Sequence, residues 1–180
     1  MTKPVIKAIA TLSGIYALRM FGLFMMFPIL ALYAAQLRFS TPTLIGLAFG
    51  IYGLTQASMQ IPMGMLSDRL GRKPVMAAGI ILFAVGAILA GLSQSIYGLI
   101  LGRAIQGAGA ISAVTSALIA DIVPAEQRGR AMACVGASIG VAFILAMVVS
   151  PYCYEQWGAT YLFFGVAFLC LPALALLFMV

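Results

Sequence analysis

Apolar residues gather along this chain into six long runs, at 9–35, 44–66, 75–91, 96–122, 131–152 and 160–180, with most polar residues between them. A helix needs roughly 20 consecutive, mostly apolar residues to cross the hydrocarbon of a bilayer, so each run predicts one membrane-spanning helix with some tilt. Composition agrees with that count. Hydrophobic residues make up 64% of the 180 positions, against roughly 45–50% in a soluble domain. Charged residues make up 8%, against roughly 25%. Six crossings of roughly 20 residues consume about 120 positions and leave about 60 for connections. So little charge over so much apolar sequence excludes a nucleic-acid binder, a coiled coil, a disordered tail and a disulfide scaffold. The expected fold class is all-α, a polytopic membrane bundle of six transmembrane helices whose first partner is the lipid bilayer.

The formal net charge of +6 takes its meaning from position. With a cytoplasmic N-terminus, the inner segments carry Lys3, Lys7, Arg69, Arg72, Lys73, Arg128 and Arg130, and the outer segments carry Arg38 alone. That asymmetry is the positive-inside signal. It predicts a cytoplasmic N-terminus and outer connections near 36–43, 92–95 and 153–159. Tyr152, Tyr154, Trp157 and Tyr161 flank the last of these, where amphipathic rings suit an interfacial belt. The apolar stretch after Lys7 runs well past the roughly 7–15 residues of a signal-peptide core, so a cleaved leader is not expected.

Candidate catalytic chemistry is sparse. The sequence has no histidine, and Cys134, Cys153 and Cys170 lie in or beside different spans without a Cys-x-x-Cys pair. With no nucleophile, base and metal-ligand constellation, the expectation is a protein that is not an enzyme and uses no metal or cofactor. Two arginines, Arg19 and Arg103, fall inside apolar runs. A mid-bilayer arginine costs roughly 2.5–3.5 kcal/mol on insertion scales, whereas the eleven Leu, Ile, Phe and Val residues of the first run return roughly 3–7 kcal/mol. The helix inserts, but the guanidinium must turn toward protein or a watery cavity. Arg103 and Gln106 share a helix face by their three-residue spacing. The carboxylates Asp68, Asp121, Glu126 and Glu155 all fall at span ends or in connections, so no acid sits at mid-membrane to carry a proton.

The connection between the second and third runs is Gly64-Met65-Leu66-Ser67-Asp68-Arg69-Leu70-Gly71-Arg72-Lys73-Pro74. Its glycines permit close helix approach and a tight turn, Pro74 suits a first helical turn, and charges of both signs crowd together. Composition alone reads as a solvated cationic loop or as a turn that pairs charges. The ordered pattern resembles the signature loop of the major facilitator superfamily, Gly-x-x-x-Asp-Arg-x-Gly-Arg-Arg/Lys, at every fixed position. Arg103-Ala104-Ile105-Gln106-Gly107 resembles a second signature of that superfamily, Arg-x-x-Gln-Gly. The segments 18–20, 50–56 and 67–74 are similar to bacterial inner-membrane members. Drug/proton antiporters of the superfamily also carry a fifth-span motif ending Gly-Pro-x-x-Gly-Gly; here Ser150-Pro151-Tyr152-Cys153-Tyr154-Glu155 keeps only the proline.

The resemblance implies that residues 1–180 are an N-terminal six-helix half, built as a three-plus-three inverted repeat, of a twelve-helix secondary transporter working by alternating access. The run of Phe178-Met179-Val180 ends while still apolar, so the expectation is a fragment that needs a C-terminal six-helix half or a second copy. Gly64, Asp68, Arg69, Gly71, Arg72 and Lys73, with Asp121 in the fourth run, are implied to form a conformational latch. Arg19, Arg103, Gln106 and Gly107 are implied to line the cavity for substrate or proton coupling. Small residues at Gly46, Gly50, Gly53 and Ala57 recur at three-to-four spacing on one helix face. With Gly136 and Gly140 in the fifth run, they are implied to meet the other half. The implied activity is proton-coupled efflux, as an antiporter, of a small polar or anionic substrate across the bacterial inner membrane. The alternative is a non-transporting membrane interaction or sensor protein built on the same half.

Overall fold

The computed structural model describes residues 3–179; Met1, Thr2 and Val180, the expected start of the chain and end of its last span, lie outside them. Among the described residues seven helices make up the six spans: α1 (Lys3–Met25), α2 (Phe27–Gln36), α3 (Pro42–Leu70), α4 (Arg72–Gly91), α5 (Ile96–Ala108), α6 (Ser112–Ile122) and α7 (Ala125–Leu177). Span one is α1 plus α2, kinked at Met26 because Pro28, in the first turn of α2, has no N–H to continue the ladder. Span two is α3, opened by Thr41, whose hydroxyl accepts from the Leu44 N–H at 3.3 Å, and by Pro42. Span three is α4. Span four is α5 plus α6.

Spans five and six form α7, interrupted only at Gly158, whose φ of 79° is open to glycine and strained for other residues. The outer connection expected at 153–159 therefore shrinks to a single-residue reversal, with helix running through the aromatic residues before it. The fourth run, expected to be continuous, breaks over residues 109–111. Among the described residues there is no strand, only one isolated bridge between Arg38 and Ser95. There the Arg38 N–H donates to the Gln94 carbonyl at 3.2 Å and the Ile96 N–H to the Arg38 carbonyl at 3.1 Å, joining the two outer connections.

Packing follows the two triplets. Span one lies along spans five and six: Ser138 Oγ donates to the Ser13 carbonyl at 3.2 Å, Ser150 Oγ to the Met25 carbonyl, and Gly22 faces Val166. Span four lies against spans two and three: Gly107 meets Thr55 and the Tyr52 carbonyl, and Gly102 meets Gly86 and Ala90. Spans three and six meet where Gly91 faces Phe163. Exchanging spans one, two and three for four, five and six maps this pattern onto itself, as a repeat of two three-helix units should. Large apolar side chains such as Leu54, Ile61, Val148 and Phe168 point outward, which suits hydrocarbon and not water.

Candidate functional site

Two constellations gather the polar side chains of the bundle. The first is at the turn between spans two and three. Gly71, with φ of 93°, stops α3 in a conformation that a side chain would strain, and the reversal returns Arg72 to the last turn of α3. Arg72 Nη1 donates to Asp68 Oδ1 at 2.5 Å and to Ser67 Oγ at 2.7 Å, and Arg72 Nε donates to Asp121 Oδ2 at 2.9 Å. One guanidinium thus ties the ends of spans two, three and four. The side chains of Asp68 and Asp121 are 63% and 52% exposed, so each pair is worth at most about 1 kcal/mol, and the cluster orients more than it glues. Arg69 and Lys73 are exposed and form no ion pair among the described residues, while a Cβ added at Gly64 would lie 3.6 Å from the Ala113 methyl of span four. Sequence reasoning counted Arg128 only as an inner cation. Its Nη2 donates to the Ala120 carbonyl at 2.7 Å and its Nε to the Val123 carbonyl at 3.1 Å, capping the end of α6. A cation just past a helix C-terminus is the signal that would have found it.

The second constellation surrounds the break in span four. Over 109–111 the ladder fails, which frees the Gly109 carbonyl and the Ala113 N–H that would otherwise bond to each other. Arg19 Nη2 of span one donates to the Gly109 carbonyl at 3.0 Å, and Gln60 Oε1 of span two accepts from the Ala113 N–H at 2.8 Å. Side chains from two other helices thus stand in for one missing helical bond. Arg103 Nη1 donates to Gln106 Oε1 at 2.9 Å one turn away. An aromatic face stands beside each arginine, with Arg19 4.9 Å from the Phe83 ring centroid and Arg103 4.6 Å from that of Tyr52, while Arg19 Nε and Nη1, Arg103 Nε and Nη2 and Gln106 Nε2 are buried without a hydrogen-bond partner among the described residues.

The sequence expectation put Arg19, Arg103, Gln106 and Gly107 on a cavity wall. Arg19 is instead 2% exposed, Arg103 and Gln106 0%, and Gly107 is buried against span two. The reason is that rings and a freed carbonyl offer the guanidinium groups partners inside the packing, and paired glycines let the helices close over them. Gly86 faces Gly102, and Gly79 faces Gly109, as spans three and four run antiparallel. The matched seven-residue spacings of these glycines were a legible signal. Tyr52, Gln60 and Phe83 gave none. The kink in span one is patched in the same way: Ser150, standing beside Pro151 where the antiporter motif has glycine, gives its hydroxyl to the Met25 carbonyl.

The small-residue faces are open. Gly46, Gly50, Gly53 and Ala57 on α3 and Gly136 and Gly140 on α7 are exposed, and no atom would lie within 4 Å of a Cβ added at any of those glycines.

Residues 12–180 match the profile of the Major Facilitator Superfamily. The chain is 47% identical to the inner membrane transport protein YajR of Escherichia coli K12 over 165 residues, 92% of this chain and 36% of YajR. It is 44% identical to a transporter of Buchnera aphidicola subsp. Schizaphis graminum over 80% of this chain and 37% of that protein. The chain therefore spans little more than a third of the length of these relatives. Among solved structures it is similar to the POT family transporter PepTSo, with a TM-score of 0.80 at 18% identity over 96% of this chain and 37% of that one. It is also similar to the human organic anion transporter MFSD10, with a TM-score of 0.79 at 17% identity over 99% of this chain and 48% of that one.

Proposed function

Because the chain belongs to the Major Facilitator Superfamily, we propose that it builds one six-helix wall of a secondary active transporter that moves small molecules outward by alternating access, exchanging them for protons across a bacterial inner membrane. The observation that carries this reading is the Arg72 cluster. It binds three helix ends at one pole of the bundle, while the glycine faces of spans two and five beside it stand open. A second six-helix half, or a second copy of the chain, completes those faces. Asp68 keeps one carboxylate oxygen out of the Arg72 bond and stays exposed, so it is placed to accept from a helix N-terminus of that partner in one of the two conformations. Such a contact is worth roughly 0.3–2 kcal/mol, enough to shift a two-state equilibrium by up to about thirtyfold. The cations near the cluster support a cytoplasmic position for it by the positive-inside rule, and engagement on that side would favour the outward-open state. The anionic substrate option rested on Arg19 and Arg103, both buried within this wall, so the reading takes a small polar one.

The test needs no substrate. Cysteines placed at Gln94 and Gln156 should react with a membrane-impermeant thiol reagent from outside, and one at Leu70 from inside, in the natural polypeptide with its own cysteines replaced. A cysteine at Ser116, in the inner half of span four, should then react from either side in turn, and Asp68→Asn should cut its outside rate by roughly the same thirtyfold ceiling. Equal outside rates with and without Asp68 would sink the latch. Reaction from one side only in every variant would favour the sensor reading.

A further inference from the structure

A groove follows the seam where spans one and five lie side by side. At the pole of the Arg72 cluster it opens as a cavity of about 410 Å³ between Ile6, Ile9 and Ala10 of α1 and Cys134 of α7, with Arg130 at its mouth. A second cavity, of about 440 Å³, continues it toward mid-membrane between Ala17 and Phe21 of α1 and Val141 and Leu145 of α7. Between the two, the Ser138 hydroxyl donates to the Ser13 and Val135 carbonyls, so it needs no occupant to bond it. From Ile6 to Phe21, and in step from Arg130 to Leu145, the groove runs about 22 Å at roughly 1.5 Å per helical residue. That exceeds the roughly 15 Å depth of one leaflet's hydrocarbon. Cys134 is two residues from Gly136, about 200° around α7, so the groove lies on the far side of span five from the open glycine face. A partner that covers the glycines leaves the groove facing lipid.

The mouth carries the informative charge. Arg130 is exposed and forms no ion pair among the described residues, although Glu126 stands one turn earlier on the same helix. Arg128 gives its guanidinium to the end of α6 but keeps its charge, and Lys7, beside Ile6 on α1, is exposed. Three cations against one carboxylate leave this mouth positive. We infer that the groove holds an acyl chain of an anionic phospholipid, with Arg130 on its phosphodiester. The guanidinium fork matches two phosphate oxygens, and a basic pocket between spanning helices is a recurrent site for acidic lipid headgroups. A soluble phosphate would leave the apolar walls unfilled, and an ammonium headgroup would bring one more cation to a positive mouth. The site concerns the lipid around the wall and is independent of what the wall transports.

The probe is phosphatidylglycerol with a photoactivatable diazirine on one acyl chain, compared at low mole fraction with phosphatidylethanolamine of the same chains. Both are presented in phosphatidylcholine nanodiscs that hold the natural polypeptide, and adducts are mapped by peptide mass spectrometry. Phosphatidylglycerol adducts are expected within 9–21 and 134–145, at about five times the phosphatidylethanolamine yield, with no competition from inorganic phosphate. Arg130→Gln should cut that yield about fivefold, the factor one cation is worth at an anionic lipid surface, and Arg130→Lys should restore part of it. Val141→Trp, filling the groove from an exposed position, should remove the adducts without touching the cation. Equal yields from the two lipids, an unchanged yield in Arg130→Gln, or competition by phosphate would each overturn the assignment. So would a preference for phosphatidylethanolamine that Glu126→Gln abolishes. Transport is not read, so the result stands apart from the transporter reading.

Discussion

The Arg72 cluster and the break in span four are both arginine sites that join helices, and they hold their charge by opposite means. At the cluster the guanidinium meets two carboxylates that remain more than half exposed, so water shares the work and each contact is weak. Among the described residues no carboxylate stands at the break. Arg19 is held by a carbonyl released from a helix and by the face of Phe83, in a place water reaches poorly. A mobile joint can be made of the first kind of contact, because losing it costs little. The second kind fixes the interior of the wall, because a lost partner leaves a buried polar atom with nothing to bond.

That contrast can be broken in four ways. The largest effect is expected for Gly107→Leu, whose Cβ would overlap the Tyr52 carbonyl and Thr55 hydroxyl, backbone and branched side chain that yield little. Unfolding in detergent should show a loss of about 3 kcal/mol or failure to accumulate, whereas Gly46→Leu, on the open face, should stay within about 0.5 kcal/mol of the parent. Arg19→Ala should come next, at about 2–3 kcal/mol, by orphaning the Gly109 carbonyl. Gln60→Ala should cost about 1–2 kcal/mol, and a double-mutant cycle with Arg19→Ala should depart from additivity by at least about 0.5 kcal/mol, since both bracket one break. Asp121→Asn should cost the least, under about 1 kcal/mol, and that cost should shrink in high salt, while the Arg19→Ala cost should not. Salt sensitivity of equal size at both sites would erase the distinction.

How much of this was readable depends on how far apart the partners lie in sequence. Asp68 and Arg72 are one helical turn apart, and Gly71 between them marks the reversal, so the turn is legible from its own residues. Asp121 lies 49 residues from Arg72 and entered the reading only through family resemblance. Hydropathy located all six spans, but it counts apolar residues and is blind to whether a carbonyl finds its amide. The kink at Met26 and the break after Ala108 were therefore smoothed over, although Pro28 and the Gly107-Ala108-Gly109 stretch were in plain view. The reversal at Gly158 was hidden because the residues before it are polar and aromatic, which reads as loop although the backbone stays helical. Which neighbours receive the two arginines escaped for a related reason. A charge in a span says that something must receive it, and only the packed helices say that the receiver is Phe83, Tyr52 or a carbonyl.

The break in span four also bears on how the protein is made. Its arms, of 13 and 11 residues, are each far short of the roughly 20 a bilayer demands, and the three residues between them carry polar groups that lipid cannot satisfy. The side chains that satisfy them, Arg19 and Gln60, belong to spans that leave the ribosome earlier. Span four can settle at full depth only where spans one and two already wait, so the order of synthesis is also an order of assembly. Moving spans one and two behind span four in a permuted gene should leave the nascent fourth span stranded at the translocon.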